Sequence, residues 1–272
     1  MVNWIPVSFI VGQSSKADKS KISLEGIISR EKSSKSRIVV VLGLNSGFQG
    51  YMPFLNGLAD HYNVATYNQR GQKNSKVEFN PPMLSEDLDS VLESLGEGRN
   101  LLLAHSAGSI AVANSKLNPY PYFLITPCFG DFSFSSLYQL GLSASRIKNL
   151  PYFKEFTNQL LGNEWNPNFM EGASSLLSSP TIIPSNIPVG YCVSDRDEAL
   201  GTLGNPDHYL KSREILRKIY PSGHDFSERI KGLNHCLNRN SYDFSYFLKN
   251  EEGKDSFRII KSIVSFFDNL DS

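Results

Sequence analysis

Residues 100–110 read Asn100-Leu101-Leu102-Leu103-Ala104-His105-Ser106-Ala107-Gly108-Ser109-Ile110, an apolar run that breaks into small residues around one serine. A serine hydroxyl can attack a carbonyl carbon, but at neutral pH it is a weak nucleophile and needs a base to take its proton. It must also stand clear of the backbone, which a sharp strand-turn-helix corner provides. At such a corner the residues two before and two after the serine must be small, because strand and helix cross closely there. Ala104 and Gly108 hold those positions, in an A-x-S-x-G pattern. The same pentapeptide also suits a helix N-cap, so the surrounding elements must decide.

Those elements alternate. Arg37–Leu42 (RIVVVL) is apolar on both faces, as a buried parallel strand requires, and ends in Gly43-Leu44-Asn45-Ser46-Gly47. Phe54, Leu55, Leu58, Ala59 and Tyr62 recur at helical spacing and predict a helix over 52–62. Val64–Tyr67 is a short strand that opens into Asn68-Gln69-Arg70-Gly71-Gln72-Lys73-Asn74-Ser75. Beyond Pro81-Pro82, Ser85 is placed as the N-cap of a helix, with Leu88, Val91, Leu92 and Leu95 on one face and Gly96 at its end. The strand Leu101–Leu103, the serine turn, a helix to about Ser115 and the strand Tyr122–Thr126 follow. Alternation of this kind predicts a parallel sheet with right-handed crossovers. Ahead of it, Val7–Val11 and Ile22–Ile28 flank a polar loop and predict an opening hairpin or meander.

The alternation stops near residue 128. An aromatic-rich, helical-looking segment follows, with Phe132, Tyr138, Phe153, Trp165 and Phe169 among its residues. Strand character returns over 187–193 and runs into Ser194-Asp195-Arg196-Asp197. Asn205-Pro206 opens a helix over 206–220, and Pro221-Ser222-Gly223 stops it. A short strand, Phe226–Lys231, is expected before Gly232-Leu233-Asn234-His235, and Ile260, Ile263, Val264 and Phe267 predict a closing helix. The expected class is α/β, a mostly parallel central sheet flanked by helices. Residues 1–128 and 185–272 make the core, and 129–184 form a helical cap inserted into it.

Composition narrows the chemistry. With 272 residues and a formal net charge of zero, the chain carries no electrostatic footprint for nucleic acid or an anionic membrane. Cys128, Cys192 and Cys236 are odd in number and widely spaced. They predict neither a disulfide framework nor a metal cluster, and fit a reducing, cytoplasmic setting. The Trp4–Val11 run lacks a basic flank and a cleavage site, so it reads as a first strand rather than a signal peptide. No apolar stretch reaches membrane-spanning length. The expectation is a monomer or homodimer acting on a small molecule, without metal, cofactor, nucleic acid or integral membrane segment.

Taken in order, these features resemble the α/β-hydrolase superfamily over nearly the whole chain, in an esterase- or lipase-like form. RIVVVL with Gly43-Leu44 resembles the oxyanion-loop strand. Tyr67-Asn68-Gln69-Arg70-Gly71 with Ser75 resembles the D-x-R-G-x-G-x-S turn. The serine corner comes third, and a strand leading to Asp197, then Gly-x-x-His at His235, comes last. The resemblance implies that Ser106 is the nucleophile and that a carboxylate holds the base histidine in its tautomer. It implies oxyanion donors at the amides of Ala107 and Leu44. Ser194-Asp195-Arg196-Asp197 resembles G-x-x-D with Ser194 in the glycine place, so Asp197 takes the acid position and Asp195 is left as a solvated loop carboxylate. For the base, His224 and His235 both resemble the histidine that follows the last strand. The shorter spacing from Asp197 favours His224. The uninterrupted helix over 206–220 favours His235, because it leaves His224 in a helix-to-strand loop, and His235 is assigned on that ground. Of the others, His61 ends a helix, His105 is the variable residue beside the serine, and His208 lies in a helix.

The implied activity is hydrolysis of a carboxylic ester or thioester with an apolar acyl or aromatic group, through an acyl-enzyme. Three departures stand against it. Leu42 occupies a place where the family often has histidine, Ala104 replaces the first glycine of the serine motif, and Asn68 replaces aspartate. They motivate a second reading, a non-catalytic protein of the same fold that binds a small ligand or partner.

Overall fold

Segments that are apolar at every position cannot keep one face in water, so they end up between two layers of helix. In the computed structural model, which describes residues 2–12, 22–29, 36–43, 47–70, 83–96, 98–117, 120–127, 186–197, 206–233 and 253–270, eight strands form one sheet, and its inner strands are buried almost throughout. They are β1 (Trp4–Val11), β2 (Ile22–Ser29), β3 (Arg37–Val41), β4 (Asn63–Tyr67), β5 (Asn100–His105), β6 (Tyr122–Ile125), β7 (Val189–Cys192) and β8 (His224–Asp225). Their order across the sheet is β1-β2-β4-β3-β5-β6-β7-β8. β1 and β2 form the expected antiparallel hairpin, and β2 also runs antiparallel to β4. From β4 onward every neighbouring pair is parallel.

The helices are α1 (Phe48–Ala59), α2 (Met83–Leu95), α3 (Gly108–Asn114), α4 (Pro206–Ile219) and α5 (Gly253–Asp268). Side chains alternate across the strands with period two, and this divides the core. Ile38, Val40, Leu101, Leu103, Phe123 and Ile125 face one side, with Leu55 and Leu58 of α1 and Ile259, Ile263 and Phe267 of α5. Val39, Val41, Leu102, Ala104 and Leu124 face the other, with Leu88 and Val91 of α2, Ala111 of α3 and Leu216 of α4. On the first side the Tyr62 hydroxyl, just past α1, donates to Asp268 Oδ1 at 2.9 Å, joining residues 206 positions apart in sequence.

The differences from expectation that matter most lie in three places. α1 begins at Phe48 rather than near residue 52, because the buried face extends a full turn earlier through Phe48 and Tyr51. α2 begins at Met83, so Ser85 lies inside its first turn and does not cap it; Met83 and Leu84 are already buried against the sheet. The strand expected over Phe226–Lys231 is replaced by the two residues of β8 and a 3₁₀ turn at Ser227–Ile230. Asp225 causes that break. Its Oδ1 accepts the Ser227 amide at 2.9 Å, and Ser227 Oγ in turn accepts the Val193 amide at 3.0 Å, so the chain curls instead of extending. His224 is accordingly the first residue of β8 and not part of a preceding loop. The expected cap at 129–184 lies outside the described residues, as do Leu44, Asn205 and His235. Among the described residues no helix is long and apolar enough to cross a membrane.

Candidate active site

From β3 the chain moves to β4 on one side, and then through α2 to β5 on the other. A sheet that reverses its winding in this way opens a crevice beyond the carboxyl ends of the two strands at the reversal, β3 and β5. Ser106 follows β5 at that edge, and α3 starts two residues later. Ser106 has φ 50°, in the left-handed region that non-glycine residues occupy only under local constraint. The constraint is visible on both sides. The Ser106 amide donates to Ile125 O at 3.0 Å, and its carbonyl accepts the Ser109 amide at 3.0 Å.

The need for small neighbours has an atomic cause. A Cβ on Gly108 would lie 2.7 Å from Leu42 O and 2.8 Å from the Val41 carbonyl carbon, with Val41 O closer still. All three are backbone atoms at the end of β3, and none can swing away. A Cβ on Gly43 would lie 3.0 Å from Ser106 Cβ and 3.2 Å from His105 Nδ1. Ala104 is fully buried within β5, where its single methyl fits. Gly108→Ala should therefore cost about 3 kcal/mol, at the upper end of ordinary overpacking. That corresponds to a melting temperature lower by roughly 5–10 °C. Thermal unfolding followed by circular dichroism checks this, and an unchanged midpoint would mean that β3 and α3 separate without penalty.

Beyond β7 the acidic turn divides into two roles. Asp197 is fully buried. Asp195 is half-buried and not the solvated carboxylate expected, because its Oδ1 accepts the Gly232 amide at 2.6 Å. Gly232 has φ 90°, a conformation suited to glycine, and the described chain leaves it at the buried Leu233. Gly232 is thus tied to the loop that carries Asp197. His224 lies elsewhere. Leu103, Phe123, Gly190 and His224 form one row across β5, β6, β7 and β8. Ser106 is three residues further along β5, on the order of 10 Å up the strand, and three strands across, on the order of 14 Å. The His224 ring packs beside Phe266, with centroids 5.8 Å apart. Its neighbour Asp225 is occupied by Arg213 Nε at 2.9 Å and by Arg217. Burial alone would raise the Asp225 carboxyl, but hydrogen bonds from Ser227 and Arg213 outweigh it and hold the carboxyl below its usual range.

The fold recurs in solved structures. An esterase of Pyrococcus furiosus superposes with a TM-score of 0.61 at 14% identity, covering 97% of this chain and 93% of its own. A membrane phospholipase A described as a bacterial virulence factor gives 0.65 at 13%, covering 98% and 87%. A bromoperoxidase from Bacillus anthracis gives 0.62 at 13%, covering 96% and 100%. The chain has the α/β-hydrolase fold. No protein-family model matches the sequence, and no curated protein does either.

In this α/β-hydrolase fold two features beside Ser106 escaped the sequence reading. His105 is not merely a variable neighbour. It is buried, and its Nδ1 shares a hydrogen bond of 2.7 Å with the buried Tyr51 hydroxyl. Extending the periodic face of α1 back to Phe48 would have placed Tyr51 on the sheet side. The second feature is the turn after β4. Asn68 Oδ1 accepts the Phe48 amide at 2.9 Å, and Gln69 Nε2 donates to Leu42 O at 2.7 Å. Arg70 Nε donates to Asp87 Oδ2 at 2.7 Å, and its Nη2 also meets Asp87 Oδ1. Burial keeps the Asp87 carboxyl above its usual range even beside that guanidinium. Among the described residues no group of three or more His, Cys, Asp or Glu is placed to hold a metal ion.

Proposed function

We propose that the chain is a serine hydrolase cleaving a carboxylic ester or thioester with an apolar acyl or aromatic group. Ser106 Oγ attacks the carbonyl carbon while His235 takes its proton, and Asp197 orients and stabilises the resulting imidazolium. The amides of Ala107 and Leu44 receive the developing oxyanion. Collapse expels the alcohol or thiol with the proton from His235. Water, deprotonated by the same histidine, then releases the carboxylic acid and restores Ser106. The segment 129–184 caps the serine, and its aromatic residues line the acyl pocket.

The observation that carries this reading is the backbone of Ser106. A serine held at φ 50° on a glycine-locked strand-helix corner is strained, and such strain collects where a reacting group must be displayed. The departures that motivated a binding-only protein have ordinary packing explanations. Leu42 is fully buried in the α1 side of the core, Ala104 fits inside β5, and Asn68 has partners of its own. A fluorophosphonate probe tests the reading. Covalent labelling that maps to Ser106 supports the hydrolase, and folded protein that resists the probe supports the binding module. A panel of p-nitrophenyl esters of graded acyl length then reads the pocket.

The acid is tested by a pair of substitutions. Asp197→Asn should lower kcat by on the order of 10⁴-fold, the effect of losing the carboxylate that fixes a triad histidine. Asp195→Asn keeps an oxygen for the Gly232 amide and should stay within about tenfold of wild type, since a single surface-proximal hydrogen bond contributes about 1 kcal/mol. A reversed order would transfer the acid role to Asp195.

A further inference from the structure

We propose that Asn68 and Gln69 are positioning residues of the hydrolytic site, gripping the end of β3 and the start of α1 beside Ser106. The inference rests on the hydrolase reading above. Gln69 holds the near end, donating to Leu42 O just before Gly43, whose backbone abuts Ser106 Cβ and His105. Asn68 holds the far end. α1 starts from Gly47, which has no side chain to cap it, and the Phe48 amide is satisfied from another strand by Asn68 Oδ1. Asn68 and Gln69 are both buried. They are also anchored from behind, through the Asn68 amide to Glu25 O at 2.8 Å and through the Arg70–Asp87 ion pair that follows.

The same geometry accounts for asparagine at position 68. Its Oδ1 must accept from Phe48, while its Nδ2 donates to Glu25 Oε2 at 3.1 Å. The carboxamide meets both needs, with its acceptor on one atom and its donors on another. An aspartate would lose the bond to Glu25 and set two carboxylates against each other. Gly43 backs directly onto Ser106, so its displacement moves the nucleophile and acts on the transition state more than on substrate binding. A shift of about 1 Å in such a group can cost on the order of 10²-fold in rate.

The test compares wild type, Asn68→Asp and the double variant Asn68→Asp/Glu25→Gln on p-nitrophenyl butyrate, with hydrogen exchange of the peptide containing Phe48 measured in parallel. Asn68→Asp should lower kcat by roughly 10–100-fold with KM within about twofold, and should speed exchange at Phe48. The deficit relative to wild type should shrink as pH falls, because neighbouring carboxylates come to share a proton. The double variant should recover to within about threefold, its new amide at position 25 donating to the new carboxylate at 68. A wild-type kcat in Asn68→Asp, a loss confined to KM, or a loss that Glu25→Gln leaves unrepaired would overturn the proposal. If Asn68→Asp does not fold, Asn68→Ala and Gln69→Met replace it, and full kcat in both would overturn the proposal in the same way. If the wild-type protein neither hydrolyses the ester nor reacts with the probe, the hydrolase reading falls. Exchange alone then decides the grip, and unchanged exchange in Asn68→Asp sinks it.

Discussion

Ser106→Ala should remain folded and lose ester hydrolysis by on the order of 10⁶-fold. Losing a triad nucleophile forfeits the covalent route, and what remains comes from the oxyanion donors and binding alone. The fold should tolerate the change, because alanine also carries a Cβ and meets the same constraint at φ 50°. A melting temperature within a few degrees of wild type is expected for a substitution that creates no cavity or buried charge. Fluorophosphonate labelling should vanish with turnover. Hydrolysis surviving in the folded variant would place the nucleophile on another residue.

His235→Ala should be nearly as damaging, because serine and histidine act as one unit and removing either costs almost the full effect. His224→Ala should stay within about threefold of wild type. The register across β5 to β8 sets His224 at the level of Leu103, with its ring beside Phe266, far from the Ser106 hydroxyl for direct proton transfer. Parallel kcat measurements on the two variants decide the matter. Loss in His224→Ala with retention in His235→Ala would remove the base assignment. The rate of probe labelling gives an independent reading, since it too depends on general-base assistance to Ser106.

The fold was legible wherever a segment is buried on both sides or carries a strong stop. RIVVVL and NLLLAH could only be inner strands, and Gly96, at φ 71°, ends α2 where its residue type requires. What sequence patterns misplaced are starts. α1 and α2 each begin earlier than expected, because a helix is extended by the depth of the core it meets, which local propensity does not encode. The strand beyond α4 failed for a different reason. Phe226–Lys231 has strand-compatible composition, yet Asp225 takes the Ser227 amide in competition with the ladder. At the site, Ser106 and its small neighbours were readable because backbone crowding restricts residue type directly. Tyr51, Gln69 and the second role of Asn68 were not, because each acts through a contact with a residue distant in sequence. No period or spacing records such contacts.

The bond from Tyr62 to Asp268 has a bearing on how the protein is made. α1 and the strands beside it emerge from the ribosome with one apolar face waiting for α5, whose partner residue arrives 206 positions later. At typical elongation rates of about 5–20 residues per second the interval is roughly 10–40 s. Hydrophobic collapse of a nascent chain takes microseconds by comparison. Throughout that interval Ile38, Val40, Leu55 and Leu58 lack the cover that Ile259, Ile263 and Phe267 later supply. Newly made chains are therefore open to aggregation or chaperone capture on this face long after the Ser106 corner itself has been synthesised.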